Sequence, residues 1–289
     1  MQSNLRPQTR IDRLCAYFTI LGFALKHCGS LSASTKLYYL AKLKKGLVYR
    51  GLTEYAPGKI VQVPFRVAAG KIWDIRLRDN GHDAAVLVQF FKHGTLLEVE
   101  RQSWKPQVIY DLGANIGIAS LSLATLCPEA RIYGFEPVPA NFEICARNYS
   151  NLANAQAFNY AVGSFTGTMN FELSSDPEAG RLSANTEGCV SNSDNGIKVE
   201  VWTVSDLVEI KGLPPPDFLK VDVEGSEFDV LTGLGVYAKG VKQIHVETHS
   251  IELKDKCVRW LNSNGFTIEK EIRYNTIQSG LWAKRLADS

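Results

Sequence analysis

The chain has 289 residues, of which 45% are hydrophobic and 21% charged, enough to bury a sizeable core in one large domain or one domain with an extension. A net charge of +2 supplies no general field for nucleic acid or an anionic membrane. Six scattered cysteines (Cys15, Cys28, Cys127, Cys145, Cys189 and Cys257) contain no C-x-x-C pair, which argues against a disulfide framework or a zinc site and for a reduced, cytoplasmic compartment.

Residues 1–45 read as helical and basic, with Lys36, Lys42, Lys44 and Lys45 near their end. Within them 14–25, LCAYFTILGFAL, is an apolar run flanked by Arg10, Arg13 and Lys26. As a helix it spans about 18 Å, well short of a bilayer core, and no clean signal-peptide cleavage site follows. The expectation is a helix covering the core or a partner in a homodimer, with weak membrane contact as the lesser alternative and no transmembrane span. Residues 47–78 turn strand-like in VYRGL, KIVQVPFRV and KIWDIRLR, separated by Pro57–Gly58 and Ala69–Gly70. Residues 82–93 return to helical spacing. No catalytic motif stands in this first third. Residues 1–81 are therefore expected to form an N-terminal α+β extension, and 82–289 a catalytic domain.

From 107 onward strands alternate with helices. Strands are expected at 107–112, 131–136, 155–162, 216–222, 241–248, 265–271 and 280–285, and helices at 117–127, 139–150, 226–234 and 252–264. This alternation predicts an α/β fold: a mostly parallel seven-stranded, Rossmann-like sheet with helices on both faces and right-handed crossovers. The first strand runs into a glycine-punctuated turn, VIYDLGANIG at 108–117, and an apolar helix follows at once. Strand, tight loop and helix start together bring backbone N–H groups against a nucleotide-like ligand. The second strand, RIYGF, ends in Glu136, placed to accept hydrogen bonds from two ribose hydroxyls. The turn is D-x-G-x-N-x-G, with Asn115 in place of the middle glycine of a dinucleotide fingerprint, so no pyrophosphate cradle remains. A ligand with a ribose and no phosphate fits better, and S-adenosylmethionine (SAM) is the common one.

The segment 174–196, SSDPEAGRLSANTEGCVSNSDNG, is polar and too long for a simple connection. Such loops are functional or disordered, and a substrate lid is one of the two readings. Residues 216–227, PDFLKVDVEGSE, then form a buried strand carrying Asp222 and Glu224, two apart and on one side if the strand continues that far. The next strand, QIHVETH, places Glu247 and His249 at its end. Ligands sit at the carboxyl ends of strands in open parallel sheets. Four titratable groups there can deprotonate a hydroxyl or hold a divalent cation. The plainer alternative has Asp222 capping the next helix and Glu224 pairing with a lysine.

DLGANIG, FEPVPANFE, NYAVGS and FLKVDVEGSEFDVLTG, in this order, resemble the FkbM family of SAM-dependent methyltransferases over roughly residues 85–285. The resemblance implies the class I methyltransferase fold and O-methylation of sugar or polyketide-type hydroxyls. By position, it implies that Asp111, Gly113, Asn115 and Gly117 wrap the methionine part of SAM and that Glu136 holds the ribose. Ala114, Pro137 and Asn141 join the cofactor contacts, and Asn159, Ala161 and Val162 lie where the adenine rests. One departure is TVSDL at 203–207, where Ser205 replaces an expected acid and Asp206 remains.

Methyl transfer needs an aligned nucleophile, and a sugar hydroxyl needs a base or a metal. His249 is the expected base, with Asp222 and Glu224 beside it. The alternative is a Mg²⁺-type site from Asp222, Glu224 and Glu247. Rival functions are an NAD enzyme on the same fold, methylation of a protein or another non-sugar acceptor, and a non-catalytic interaction module. The charge argues against RNA, and no nucleic-acid partner is expected.

Overall fold

A computed structural model of the chain describes residues 21–28, 30–34, 36–37, 59–67, 71–80, 82–93, 96, 98–99, 104–150, 152–172 and 196–286. The segment expected as a lid, the start of the apolar N-terminal run and the VYRGL strand lie outside these residues. No helix among the described residues is long and apolar enough to cross a membrane.

Two compact units form, Met1–Gly94 and Thr95–Ser289. In the first, β1 (Ile60–Arg66) and β2 (Ile72–Arg78) pair antiparallel, with Val63 opposite Ile75 and Phe65 opposite Trp73. The alternation read from the sequence buries Val63, Phe65, Trp73, Ile75 and Leu77. Residues 21–27 are helical, and the His27 ring stacks on Phe65 at 5.2 Å. Helix α1 (His82–His93) belongs to this unit and so stands on the other side of the boundary expected at 81–82. The reason is local. Asn80 Oδ1 accepts from the N–H groups of His82 and Asp83, capping the helix, and Asp83 pairs with buried Arg78 at the end of β2 at 2.7 Å.

The second unit is built on a seven-stranded sheet. Its strands are β3 (Val108–Leu112), β4 (Arg131–Phe135), β5 (Ala155–Phe158), β9 (Phe218–Val221), β10 (Gln243–Thr248), β11 (Phe266–Arg273) and β12 (Ser279–Arg285). The spatial order is β11-β12-β10-β9-β3-β4-β5. Neighbours are parallel from β5 through β10, and β12 runs antiparallel to both β10 and β11. That is the expected class I methyltransferase sheet. The chain steps outward from β3 in one direction and from β9 in the other, so the crevice at this switch point is where a ligand enters.

Helices α2 (Ile118–Leu126) and α3 (Pro139–Tyr149) follow β3 and β4. Helices α4 (Val204–Glu209), α5 (Glu227–Thr232) and α6 (Ile251–Ser263) belong to the second half. One sheet face is apolar. Tyr110, Leu112, Leu219, Val221, Ile244 and Val246 pack there in one cluster with Leu207, Val230, Leu231 and Leu261 from α4 to α6. The residues between them, Asp111, Lys220 and His245, point to the opposite face, and Ser120 of α2 reaches Asp111 on that side. A sheet with one polar row inside it is unusual, and this row sets the chemistry described below.

A second, three-stranded sheet was not anticipated. It consists of β6 (Ala161–Val162), β7 (Gly167–Glu172) and β8 (Gly196–Trp202), in the order β6-β8-β7. The expected single strand 155–162 breaks at Asn159, whose Nδ2 donates to the carbonyls of Glu136 and Pro137 at 2.8 and 3.0 Å. A side chain spent on the neighbouring loop turns the chain out of the large sheet. The hairpin β7–β8 then brackets the polar insertion. Of the departing TVSDL segment, Thr203 caps α4 by accepting from the N–H of Asp206, and Ser205 Oγ donates to the carbonyl of Leu234.

Candidate active site

The glycine turn after β3 is held by its own backbone. The N–H groups of Gly113 and Ala114 both donate to the carbonyl of Phe135, at 3.0 and 2.9 Å. That of Gly117 donates to the Ala114 carbonyl at 2.7 Å. The N–H of Asn115 donates to Glu136 Oε2 at 2.9 Å. Four donors of the turn are therefore spent, which leaves them unavailable to a phosphate. Gly113 and Gly117 have φ of +77° and +85°, and Asn115, with φ of +50°, is the side chain that tolerates such a turn. Asn115 Oδ1 is buried and has no hydrogen-bond partner among the described residues.

Glu136 is 6% exposed and stands at the end of β4, as expected. One carboxylate oxygen holds the N–H of Asn115, and the other accepts from the N–H of Val138 at 2.9 Å. Burial pushes its carboxyl up to about 7, against the hydrogen bonds from Val138, Asn115 and Asn141 that favour the anion. Glu136 thus fastens the glycine turn to the start of α3. Asn141, also buried, lies against it, and Asn159 fixes the backbone on either side of Pro137. Ala161 and Val162 are buried in β6. The two short motifs are thus one connected structure, though they stand more than twenty residues apart in sequence.

The polar row on the sheet begins at Tyr149, whose hydroxyl donates to Ser120 Oγ. Ser120 Oγ donates in turn to Asp111 Oδ2 at 2.6 Å. Asp111 Oδ1 is 3.2 Å from the ammonium of Lys220, its register partner on β9. Lys220 Nζ also donates to the carbonyl of Gly113 at 2.9 Å and lies 3.3 Å from Asp222 Oδ2. Burial lowers the pKa of this lysine, but Asp111 and then Asp222 hold it above the usual value. One ammonium therefore touches the glycine turn and the carboxylate at the end of the next strand.

That strand stops at Val221, so Asp222 and Glu224 do not share a strand face as the alternation suggested. The chain turns instead, with Glu224 at φ of +52° and Gly225 at +109°. The turn still brings both acids to His249. Its Nε2 is 3.2 Å from Glu224 and 3.8 Å from Asp222 Oδ1. Its Nδ1 is 2.8 Å from Glu227, a fully buried carboxylate that also accepts from the N–H of Gly225. Burial, which would lower the histidine pKa, is outweighed by the Glu227 hydrogen bond and then by Glu224 and Asp222, and the imidazole is pushed up to about 10. In that state both ring nitrogens carry protons and the ring donates, so service as a base requires loss of the Nε2 proton. Asp222 is held below the usual carboxylate range; burial opposes this, and Lys220 and His249 overcome it.

Among the described residues the ligating atoms of Asp222, Glu224 and His249 all lie within 4.8 Å of one another. Glu247, expected as the third acid of a metal set, is not in that group. It is half-buried, and desolvation together with the Asp222 charge pushes its carboxyl up to about 8. Asp222 pairs with Lys220 and does not cap the next helix, whose N-cap is Ser226, and Glu224 lies beside His249. Lys220 and Glu227 were the residues that reading the sequence left without a role. The signal was present, since a lysine inside the apolar run FLKV, two before Asp222, shares that strand face.

His245 completes the row. It is fully buried beside Trp282, ring centroids 4.6 Å apart, and neither ring nitrogen has a hydrogen-bond partner among the described residues. Burial and then Lys220 lower its pKa to about 3, against the pull of Asp222. The unfolded chain therefore binds a proton below pH of about 6.5 that the folded chain refuses. This contribution to stability is complete above that pH and is lost as the pH falls toward 3, by about 1.4 kcal/mol per unit. His245→Phe keeps a ring against Trp282 and removes the term. Between pH 7.5 and 5 the wild type is expected to lose about 2 kcal/mol more than the variant, read from urea midpoints. Equal losses in the two proteins would contradict a neutral buried imidazole.

The chain is similar in sequence to known proteins. The family model described as the methyltransferase FkbM domain matches residues 111–268, just over half of the chain. The hexuronic acid methyltransferase AglP of Haloferax volcanii is 30% identical over 150 residues, covering 51% of this chain and 59% of that protein. The 2-O-methyltransferase NoeI of Sinorhizobium fredii is 29% identical over 137 residues, 44% of this chain and 56% of that one. The 31-O-demethyl-FK506 methyltransferase FkbM of Streptomyces tacrolimicus is 25% identical over 192 residues, covering 57% and 74%. The chain thus spans somewhat more than half the length of the first two.

Proposed function

Because the chain belongs to the methyltransferase FkbM family, we propose that it transfers the methyl group of SAM to a hydroxyl of a sugar, glycoside or polyketide-type acceptor. The observation that carries this reading is Lys220, whose ammonium joins the carbonyl of Gly113 to Asp222. The cofactor turn and the acceptor-side acids are thereby fixed relative to each other, which is what an in-line transfer needs. The relatives' names support the acceptor class, since they include a hexuronic acid, a 2-O position and 31-O-demethyl-FK506.

The residues fit the cofactor. Asn115 Oδ1 is a buried acceptor without a partner among the described residues, suited to an ammonium such as that of a methionine moiety. The spent N–H groups of the turn suit a ligand that brings no phosphate there. Bound at this place, SAM supplies an electrophilic methyl on a sulfonium. Gly113 and Gly117 keep the turn free of side chains, Glu136 holds the turn and the ribose hydroxyls, and Asn141, Asn159, Ala161 and Val162 line the base side. Asp222, Glu224 and His249 receive the acceptor hydroxyl. They would orient its oxygen for in-line transfer and take up the proton it releases, directly or through water.

A panel of glycosides and hydroxylated polyketides incubated with SAM should yield products heavier by one methylene unit. Failure of the chain to bind SAM or its demethylated product would reject the proposal. Glu136→Ala tests the cofactor side by calorimetry. It removes both the ribose acceptor and the tether to Asn115, and should weaken SAM binding by about 1–3 kcal/mol. Wild-type affinity in that variant would remove Glu136 from the ribose role.

A further inference from the structure

The acceptor side holds more than a hydroxyl alone requires. His249 directs Nε2 at two carboxylates, Glu224 at 3.2 Å and Asp222 Oδ1 at 3.8 Å. Lys220 occupies the other oxygen of Asp222, so Oδ1 is the one turned to the histidine. Separations near 3 Å are those of neighbouring ligands around a six-coordinate ion with bonds of about 2.1 Å. A second observation is independent of this convergence. Glu227 is wholly buried, grips Nδ1 at 2.8 Å through one oxygen, and among the described residues has no hydrogen-bond partner for the other. A buried carboxylate on Nδ1 is the arrangement that orients a metal-binding histidine and presents Nε2 to the ion. Charge agrees as well. Three carboxylates surround one ring, and Lys220, the ammonium on Asp222, is shared with Asp111.

We propose that Asp222, Glu224 and His249 Nε2 bind one divalent cation of the Mn²⁺ class, leaving open positions for two adjacent hydroxyls of the acceptor. A mixed set of one imidazole and two carboxylates suits such an ion. The set differs from the all-carboxylate one expected from the sequence, because His249 stands where Glu247 was placed. Asp222 and Glu224 are both partly exposed, so the ion has an entry path. An ion here polarises the acceptor oxygen and selects acceptors with neighbouring hydroxyls. The inference rests on the methyltransferase reading, since it assigns the ion to that acceptor site.

The full chain, stripped with EDTA and dialysed free of it, is titrated with Mn²⁺, and loss of the free-ion electron paramagnetic resonance signal is followed. One Mn²⁺ should bind per chain. His249→Ala and Glu224→Gln should each weaken it at least tenfold, and Glu227→Gln, which acts on the ion through the histidine, by about 10- to 100-fold. Glu224 is at the surface, so Glu224→Gln reports even where another variant fails to fold. No binding by the wild type at millimolar Mn²⁺, or binding that Glu224→Gln and His249→Ala leave unchanged, would overturn the site. Calorimetry of SAM binding in EDTA runs alongside. Its failure would reject the cofactor reading, whereas failure of Mn²⁺ binding with intact SAM binding would reject the ion alone.

Discussion

Replacing Lys220 with methionine is expected to destabilise the second unit by about 3–5 kcal/mol, the cost of stripping a buried ion pair of one partner. Lys220 is 5% exposed, and Asp111 is fully buried beside it. Without the ammonium, Asp111 keeps only the hydroxyl of Ser120, which cannot neutralise its charge. The carbonyl of Gly113 loses its donor as well. Methionine fills much of the lysine's volume, so a cavity contributes little. Urea unfolding followed by circular dichroism measures the loss. Adding Asp111→Asn to Lys220→Met removes the stranded charge and should recover part of it, with a coupling energy of about 0.5–3 kcal/mol. Strict additivity of the two losses would mean that the two groups do not stabilise each other. SAM affinity should fall in Lys220→Met even where the protein remains folded, because the turn is no longer held at Gly113.

The elements that sequence reading placed well are those whose apolar period and punctuation agree. FLKV, RIYGF and VIYDL became β9, β4 and β3 at or within two residues of the expected bounds, and α2, α3, α5 and α6 followed suit. Their strands are buried on both faces, so a continuous apolar run bounded by Gly, Pro or Asp reports them directly. The break between β5 and β6 was not legible. Its cause is Asn159 bonding to carbonyls more than twenty residues earlier, which no local window contains. The β7–β8 hairpin escaped for the same reason, since its two halves flank a long polar insertion. At the site, the residue identities were legible and the partnerships were not. Asp222, Glu224 and His249 were named together from their strand ends, yet Glu227 and Lys220, which orient and neutralise them, read as an ordinary helix start and a strand residue. Electrostatic partnership depends on register across β3, β9 and β10, and the register is set by the whole sheet.

Gly113→Ala is expected to cost about 2–5 kcal/mol and to weaken SAM binding at least tenfold, for two separable reasons. The first is conformational. At φ of +77° an alanine pays about 1–2 kcal/mol for the left-handed backbone. The second is contact. A Cβ built on Gly113 would stand 1.8 Å from the carbonyl oxygen of Asp222. That oxygen belongs to backbone and cannot swing aside, because Asp222 N–H is itself bonded to the carbonyl of Leu112 at 3.0 Å. Relief therefore requires β3 and β9 to part where the glycine turn meets the acceptor-side acids. Overpacking of this kind adds about 1–3 kcal/mol. Gly212 supplies the control. Its φ of +70° is nearly the same, and a Cβ there meets nothing within 4 Å. Gly212→Ala should lose only the conformational part, about 1–2 kcal/mol, and leave SAM affinity unchanged. The difference between the two variants isolates the contact between the turn and Asp222. Equal stability losses, with SAM affinity intact in both, would show that the close approach of Gly113 to Asp222 shapes neither the fold nor the cofactor site.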